Sequence, residues 1–495
     1  MKTTISHLSA LLLSFLGGLL VALTFPPWNL EWLIWIGLTP VLTALLLFES
    51  NWLFSLLRGA LFGAVFSGII FYWLLQSGRP IEWLWNLGSL SLVGAIWGFL
   101  VNRFVDLPIK KTERAEKVSP ILPGSGSTPE AWSKSVAHLR AALFTAATWT
   151  VLEWARGVLL PGWNTLGSAL QTNLPLLQMA TVTGASGLSF VIVFANLVVL
   201  TSVRRLILEP GRMSWASRFD VTATLGGIFL IALAGFAFLQ PSASKDSKTV
   251  GLLPTKSTDV SELISKSKLD HPVDLWVWRS AQIVAGDYLK FGKASIGKDV
   301  ALVTRVASGD RGSTSGAVIV TPGAVKNVVI IPRPYPLFQP GVNSPGRTLN
   351  SFNYKETSWV PLLNWEGGDL LLVRGAITKG IQVLISLSDF SPAPPAAGEQ
   401  MFANLRFLAL SLGRPMIFSN AEFSAIATSS GKIVAKSNTG DEPISGQIEP
   451  PQPFDVTLYG RYGDWFAIGC GTIMMAMAIS RRFQRANENP RRFAS

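Results

Sequence analysis

Cysteine occurs once in these 495 residues, as Cys470. No intramolecular disulfide is open to the chain, and any chemistry that needs a thiol has a single place to find one. Histidine occurs three times, as His7, His138 and His271. So few ligands exclude a Cys/His metal cluster and leave a His-paired nucleophile triad almost nothing to draw on. Neither metal nor cofactor is expected. His271, just before Pro272, reads as a plain loop histidine. Charge is also scarce: 15% of residues are charged, against about 25% in soluble domains.

The scarcity is uneven. Long apolar runs fill residues 1–240, while 248–458 has the composition of an ordinary globular domain. The runs predict about eight transmembrane helices, at 8–25, 30–48, 53–75, 82–104, 138–159, 174–202, 222–239 and 465–480. Most approach the ~20 apolar residues that cross a bilayer. The first runs straight into FPPWNLEW (25–32) with no small-residue cleavage site, so it is expected to be retained. Lys and Arg mark the cytoplasmic side. They gather in 105–137 (Lys110, Lys111, Arg114, Lys117), in 203–221 (Arg204, Arg205, Arg212, Arg218) and in the tail 481–495 (Arg481, Arg482, Arg485, Arg491, Arg492). Segments 25–29 and 160–173 carry no charge. Both termini are thus expected in the cytoplasm, with 248–458 outside. The net charge of +12 is then mostly positive-inside charge, and no nucleic-acid partner is expected. Trp73, Trp83, Trp85, Trp163 and Trp465 sit near helix ends and read as interfacial anchors.

Within 248–458, short strand-like runs alternate with turns. They are 250–254, 274–278, 299–307, 316–322, 327–334, 368–375, 381–389, 415–420 and 424–429. Helix-like stretches lie at 257–268 and 398–412, and 118–130 and 391–397 read as loops. Strands and amphipathic helices in alternation predict a layered α/β sandwich.

Several stretches together resemble one family. They are LTFPPWNLEWLIWIGLTPVL (23–42), FGAVFSGIIFYWL (62–74), VLEWARG (151–157), GWNTLGSALQ (162–171), PLLQMATVTGASGLSF (175–190), GRP (413–415) and LYGRYGDWF (458–466). The chain is similar to the apolipoprotein N-acyltransferases. The resemblance implies a polytopic α-helical membrane bundle with an inserted nitrilase-like α/β sandwich. The division would be 1–240 for helices one to seven, 248–458 for the extracytoplasmic domain, 465–480 for the eighth helix and 481–495 for a basic tail. It also implies the cell inner membrane, with 248–458 periplasmic, and phospholipid and lipoprotein as substrates or ligands. It leaves the oligomeric state open.

That family moves an acyl chain from a phospholipid to the N-terminal cysteine of a lipoprotein. It works through a cysteine thioester, a glutamate base and a lysine that stabilises the oxyanion, which is the division of labour such chemistry needs. The glutamate belongs to a Trp-Pro-Glu context; here Trp278-Arg279-Ser280 stands there. The lysine lies five residues before a proline; five before Pro332 is Asn327, and Lys326 is one position off, on the other face of a strand. Tyr335 stands for a further glutamate of that turn. The cysteine follows an apolar strand in a Cys-Tyr-Glu context; the run Leu370–Gly375, centred on Leu372, has none. The substrate loop is replaced by Ser388-Asp389-Phe390-Ser391-Pro392, and a late helix acid by Ser411. Arg279, Arg333, Tyr335 and Arg374 are candidates for binding a phosphate or carboxylate around the former pocket. Glu153 and Arg156, three apart on one helix face, read as a structural pair.

Three functions are open on this reading. One is a catalytically lapsed relative that binds lipid or lipoprotein or acts as a scaffold. Another is an active acyltransferase with relocated chemistry at Ser280 or Lys326. The third is a structural membrane subunit with no lipid ligand.

Overall fold

The computed structural model describes residues 2–107, 129–159, 165–208, 215–239, 246–253, 273–278, 301–308, 314–321, 324–328, 349–368, 370–387, 394–420, 423–437 and 443–488. The helical part begins with α1 (Lys2–Ala22), a 3-10 turn (Glu31–Leu33), α2 (Ile34–Gly37) and α3 (Thr39–Leu46). It continues with α4 (Trp52–Ile70), α5 (Tyr72–Gln76), α6 (Pro80–Phe104) and α7 (Pro129–Leu159). After a 3-10 turn (Leu166–Leu170) come α8 (Leu174–Leu177), α9 (Ala180–Thr183), α10 (Ala185–Leu208) and α11 (Trp215–Phe238).

Three expected spans are broken. The 30–48 span breaks at Leu38, two residues before Pro40, which has no N–H to continue the ladder. The break strands two backbone groups, and one side chain fills both: Asn196 Oδ1 accepts Leu38 N–H at 2.9 Å and its Nδ2 donates to Ile34 O at 2.8 Å. The 53–75 span bends at Phe71 between α4 and α5. The 174–202 span is split by Gly184 at φ +65. Among the described residues, four helical segments are long and apolar enough to cross a membrane: 52–70, 80–104, 185–207 and 219–237. Shorter apolar helices lie at 6–22, 31–46, 174–183 and 465–481.

Glycine sets how closely the bundle packs. A Cβ at Gly59 would overlap the carbonyl of Gly94, and one at Gly63 the carbonyl of Leu90. Helices α4 and α6 therefore touch backbone to backbone, as small residues allow where no hydrophobic effect drives helices together. Phe62, Trp97 and Trp149 fill the centre beside this contact, with ring centroids 5.1–6.0 Å apart. Buried Arg58 closes the end of α3, donating to Ala44 O at 2.8 Å and Glu49 O at 3.0 Å.

The second part holds twelve described strands: β1 (Lys248–Leu253), β2 (Leu275–Trp278), β3 (Ala301–Ser308), β4 (Thr314–Thr321), β5 (Ala324–Val328), β6 (Phe352–Tyr354), β7 (Thr357–Leu363), β8 (Val383–Leu387), β9 (Met416–Ser419), β10 (Ser424–Ala427), β11 (Ile433–Ser437) and β12 (Ile444–Ile448). Its helices are α12 (Leu370–Ile377) and α13 (Pro395–Ser411). A short α14 (Leu458–Tyr462) then leads to α15 (Trp465–Glu488). The strands form two six-stranded sheets, ordered β12-β1-β2-β3-β4-β5 and β11-β10-β9-β8-β7-β6. Each is parallel at its centre, β1-β2-β3 and β7-β8-β9, and antiparallel at its flanks.

Alternation along the strands builds two cores. Val250, Leu252, Leu275, Val277, Val303 and Ile319 of one sheet meet Trp359, Leu363, Val383, Ile385 and Ile417 of the other. The opposite face of the second sheet, with Val360, Leu362, Leu384, Met416 and Phe418, packs on Met401, Phe402 and Leu405 of α13. That second core runs on without interruption into the helical bundle. The expected sandwich is thus present.

Strands β6, β7, β11 and β12 were not among the expected runs; of the 327–334 run, 327 and 328 belong to β5 and the rest lies outside the described residues. The 398–412 helix is α13. The expected 257–268 helix and the 118–130 loop lie outside the described residues, as does His271.

Candidate functional site

The candidate residues do not gather in one described place. Arg279, Ser280, Arg333 and Tyr335 lie outside the described residues, as do 388–393. Lys326 and Asn327 are neighbours on β5, paired with Ile319 and Val318 of β4. Leu372 and Arg374 require a correction. Their run is the helix α12, not a strand. Val373, Ala376 and Ile377 are buried while Gly375 is exposed, a helical pattern. A short apolar run does not distinguish strand from helix by periodicity. The strand is the preceding segment, β7, where Pro361 hid the signal. The buried Glu366 carboxylate accepts the Leu363 N–H at 2.8 Å and turns the chain out of the sheet through Asn364-Trp365-Glu366.

Arg374 faces the start of the last helix. Its Nη1 lies 3.8 Å from Asp464 Oδ2. Gly463, at φ +63, has no room for a Cβ because the Arg374 guanidinium covers it.

What the described residues do assemble is a seam between bundle and sandwich. Gln400 of α13 is its centre. The side-chain Nε2 donates to Pro26 O at 2.7 Å and Ile70 O at 3.0 Å, and Oε1 accepts Trp73 Nε1–H at 3.0 Å. One amide from the sandwich therefore joins the exits of α1 and α4. Trp73, expected as an interfacial anchor, is instead buried in this node. Gln178 donates to Ser430 O at 2.9 Å, and Arg406 Nε to Gly431 O at 2.5 Å, so the β10–β11 turn is clasped from both sides. The Glu31 carboxylate accepts the N–H and hydroxyl of Thr172, tying the first hairpin to the segment before α8.

The seam's far end joins two of the quoted motifs. The Tyr459 ring lies on Gly184, whose positive φ and missing Cβ admit it. Its hydroxyl donates to Asp464 Oδ1 at 3.2 Å. Burial, and then Asp464, push that hydroxyl's pKa well above the ordinary tyrosine range, so it stays a donor. Trp465 Nε1 donates to Val182 O at 2.8 Å. Arg414, fully buried, donates to Asp455 O at 2.7 Å. Burial lowers Arg406 and Arg414 to about 10, the first opposed by Glu31 and the second by Asp455. Both are still cations at neutral pH.

Within the bundle, Glu153 Oε1 accepts Leu166 N–H at 2.8 Å and Trp149 Nε1–H at 3.2 Å. It staples α7 to the following 3-10 turn. Arg156 is buried beside it. This seam is built to hold two layers in register. Among the described residues no group of His, Cys, Asp and Glu could hold a metal.

Residues 17–198 match the family described as the apolipoprotein N-acyltransferase N-terminal domain. An apolipoprotein N-acyltransferase of Geobacter metallireducens is 28% identical over 199 residues, covering 39% of this chain and 33% of that protein. One of Shewanella oneidensis is 32% identical over 199 residues, covering 38% and 33%. The chain thus spans about a third of the length of these relatives in the matched region. Among solved structures, an amidase from Nesterenkonia sp. is similar at TM-score 0.34 and 12% identity, over 44% of this chain and 94% of that one. A glutamine-dependent NAD+ synthetase from Acinetobacter baumannii is similar at TM-score 0.34 and 14% identity, over 41% and 46%.

Proposed function

We propose that this chain is a catalytically lapsed apolipoprotein N-acyltransferase of the inner membrane, acting in lipoprotein maturation by binding lipid or lipoprotein or by scaffolding. The carrying observation is the thiol count. The only cysteine is Cys470, buried on α15 outside the sandwich. A thioester mechanism needs a thiolate at the end of the strand that delivers the nucleophile. With β7 as that strand, Asn364 stands at the cysteine position and Trp365-Glu366 completes the Cys-Tyr-Glu context. Ser280 stands for the base and Asn327 for the lysine. Loss of single members of such a unit already removes most of its rate.

The membrane reading is eight crossings: α1, α2–α3, α4–α5, α6, α7, α8–α10, α11 and α15. Both termini are cytoplasmic and 248–458 periplasmic. The four long apolar helices and the placement of Lys and Arg support it.

Complementation tests the proposal. The full chain is expressed in cells depleted of their own apolipoprotein N-acyltransferase, and lipoprotein acylation is read by mass spectrometry. Diacylated product alone, from a folded membrane protein, is expected. Triacylated product would overturn the lapse and direct mutation to Ser280 and Lys326.

A further inference from the structure

Residues 454–464 lead the chain from the sandwich to α15, and the segment has two unlike sides. Its inner side is pinned. Arg414 Nη1 donates to Asp455 O at 2.7 Å, and Thr457 Oγ1 donates to Ser411 O at 2.7 Å. Thr457 Oγ1 also accepts Gly460 N–H at 3.0 Å and so caps α14. Tyr459 is buried on Gly184, and the Arg374 guanidinium covers Gly463. The outer side is apolar and open. Phe454, Leu458 and Tyr462 are each at least half exposed, and Arg461 beside them is exposed as well. Phe454 has φ +68, a left-handed backbone that bulky side chains rarely adopt. Its ring lies on Gly380, where a Cβ would come within 3.1 Å. Such a conformation persists only where the surroundings over-determine it, and it gathers at sites that grip a ligand.

A contiguous patch of large apolar side chains on a fixed backbone marks an interaction surface. Its position names the partner. Leu458 and Tyr462 stand one turn apart on α14, and the exposed apolar row continues on α15 through Trp465, Ile468, Met475 and Ile479. The patch is therefore continuous along the chain with the face that α15, on its proposed crossing, turns to lipid. Aromatic side chains at the end of a crossing settle at headgroup level, and the exposed Arg461 suits anionic headgroups. We propose that Phe454, Leu458 and Tyr462 lie in the headgroup region of the periplasmic leaflet and rest the sandwich on the lipid surface. The strained backbone at Phe454 then has a use, since it keeps that ring outside the fold and at the membrane. The inference rests on the proposed crossing of α15 and holds whether or not acyl transfer survives.

Lys379 gives a reporter that leaves all three side chains in place. It is exposed and precedes Gly380, on which the Phe454 ring lies. Met475, exposed on α15 about 15 Å beyond Trp465 at 1.5 Å per residue, reports the crossing itself. The full chain carrying C470S and either K379C or M475C is labelled with an environment-sensitive fluorophore. It is placed one chain per nanodisc, in phosphatidylethanolamine and phosphatidylglycerol. Lipids carrying a nitroxide at the headgroup or deep in the acyl chain serve as quenchers. At position 379 the headgroup nitroxide is expected to quench at least about twofold more than the deep one, and at position 475 the order is expected to reverse. Adding F454D and Y462D is expected to cut the quenching at 379 at least about twofold and to leave 475 unchanged. Weak quenching at 379 beside the expected pattern at 475 overturns the inference while the crossing stands, and directs the search to a protein partner. Quenching at 379 that ignores F454D and Y462D also overturns it. Loss of deep quenching at 475 overturns the crossing, and the inference with it.

Discussion

Gln400→Met asks whether a single amide seats the sandwich on the bundle. Met keeps the side-chain length and volume, so little packing is lost. The hydrogen bonds go. Pro26 O, Ile70 O and Trp73 Nε1 each lose the partner that Gln400 supplied at 2.7, 3.0 and 3.0 Å. All three lie in a buried node, where a polar group deprived of its partner costs about 1–3 kcal/mol. Neighbouring losses do not add fully, so the seat should weaken by roughly 3–6 kcal/mol. The assay is thiol labelling of A403C, one turn along α13 from Gln400 and buried, in the C470S background. In the fast-reclosing regime, labelling reports the opening free energy. The expected acceleration is on the order of a hundredfold or more. A317C, within the core between the two sheets, should label at its former rate. If A403C labels no faster, the amide does not hold the seat. If A317C accelerates equally, Gln400 stabilises the whole sandwich and the seat reasoning fails.

Gly59→Ala drives a methyl into the Gly94 carbonyl, which cannot move without parting α4 from α6. We expect loss of the monodisperse peak in detergent chromatography, and a normal peak would refute the backbone contact. Glu153→Gln keeps an oxygen for the Leu166 N–H and should cost under about 1 kcal/mol, whereas Glu153→Leu strands Leu166 N–H and Trp149 Nε1–H and should cost about 2–4 kcal/mol, read as thermal midpoints. Asn364→Cys puts a thiol at the proposed nucleophile position without base or oxyanion donor. Complemented cells should still show only diacylated lipoprotein, and a trapped acyl-enzyme would refute the lapse.

Much of this fold was legible because period and composition carry it. The apolar runs placed α6 and α11, and alternating strands placed β1, β2, β8, β9 and β10 within a few residues. What failed did so for nameable reasons. The breaks at Leu38 and Gly184 depend on tertiary partners, Asn196 across the bundle and Tyr459 from beyond the sandwich. Neither partner is adjacent in sequence. Strand β7 carries Pro361, and the richer apolar run at 370–377 took its place in the reading. That slip put Leu372, instead of the Asn364 of the proposed function, at the position compared with the family's cysteine. The seam was invisible as a site, although its pieces were quoted as motifs: FPPW holds Pro26, FYWL holds Trp73, and TGASG and LYGRYGDW meet at Gly184 and Tyr459. No local signal singled out Gln400, which follows Glu399 and lies one turn before Asn404 in α13.

On the proposed function, the polar nodes present beside an absent thiol fit a protein whose work is to stay assembled. A chain drifting free of all constraint would lose buried polar nodes as readily as catalytic ones, because a stranded amide partner costs kilocalories only when the fold still matters. Here Gln400 has both of its amide hydrogens and its oxygen engaged, two positive-φ glycines leave the space that Tyr459 and Arg374 fill, and Glu366 holds the turn after β7. No cysteine stands in that turn. On the proposed binding reading, the turn after β7 offers a rigid backbone for recognition without a nucleophile. The turn at Asn364 is therefore where a retained lipid or lipoprotein contact should be sought first, by photocrosslinking from that position in the intact membrane.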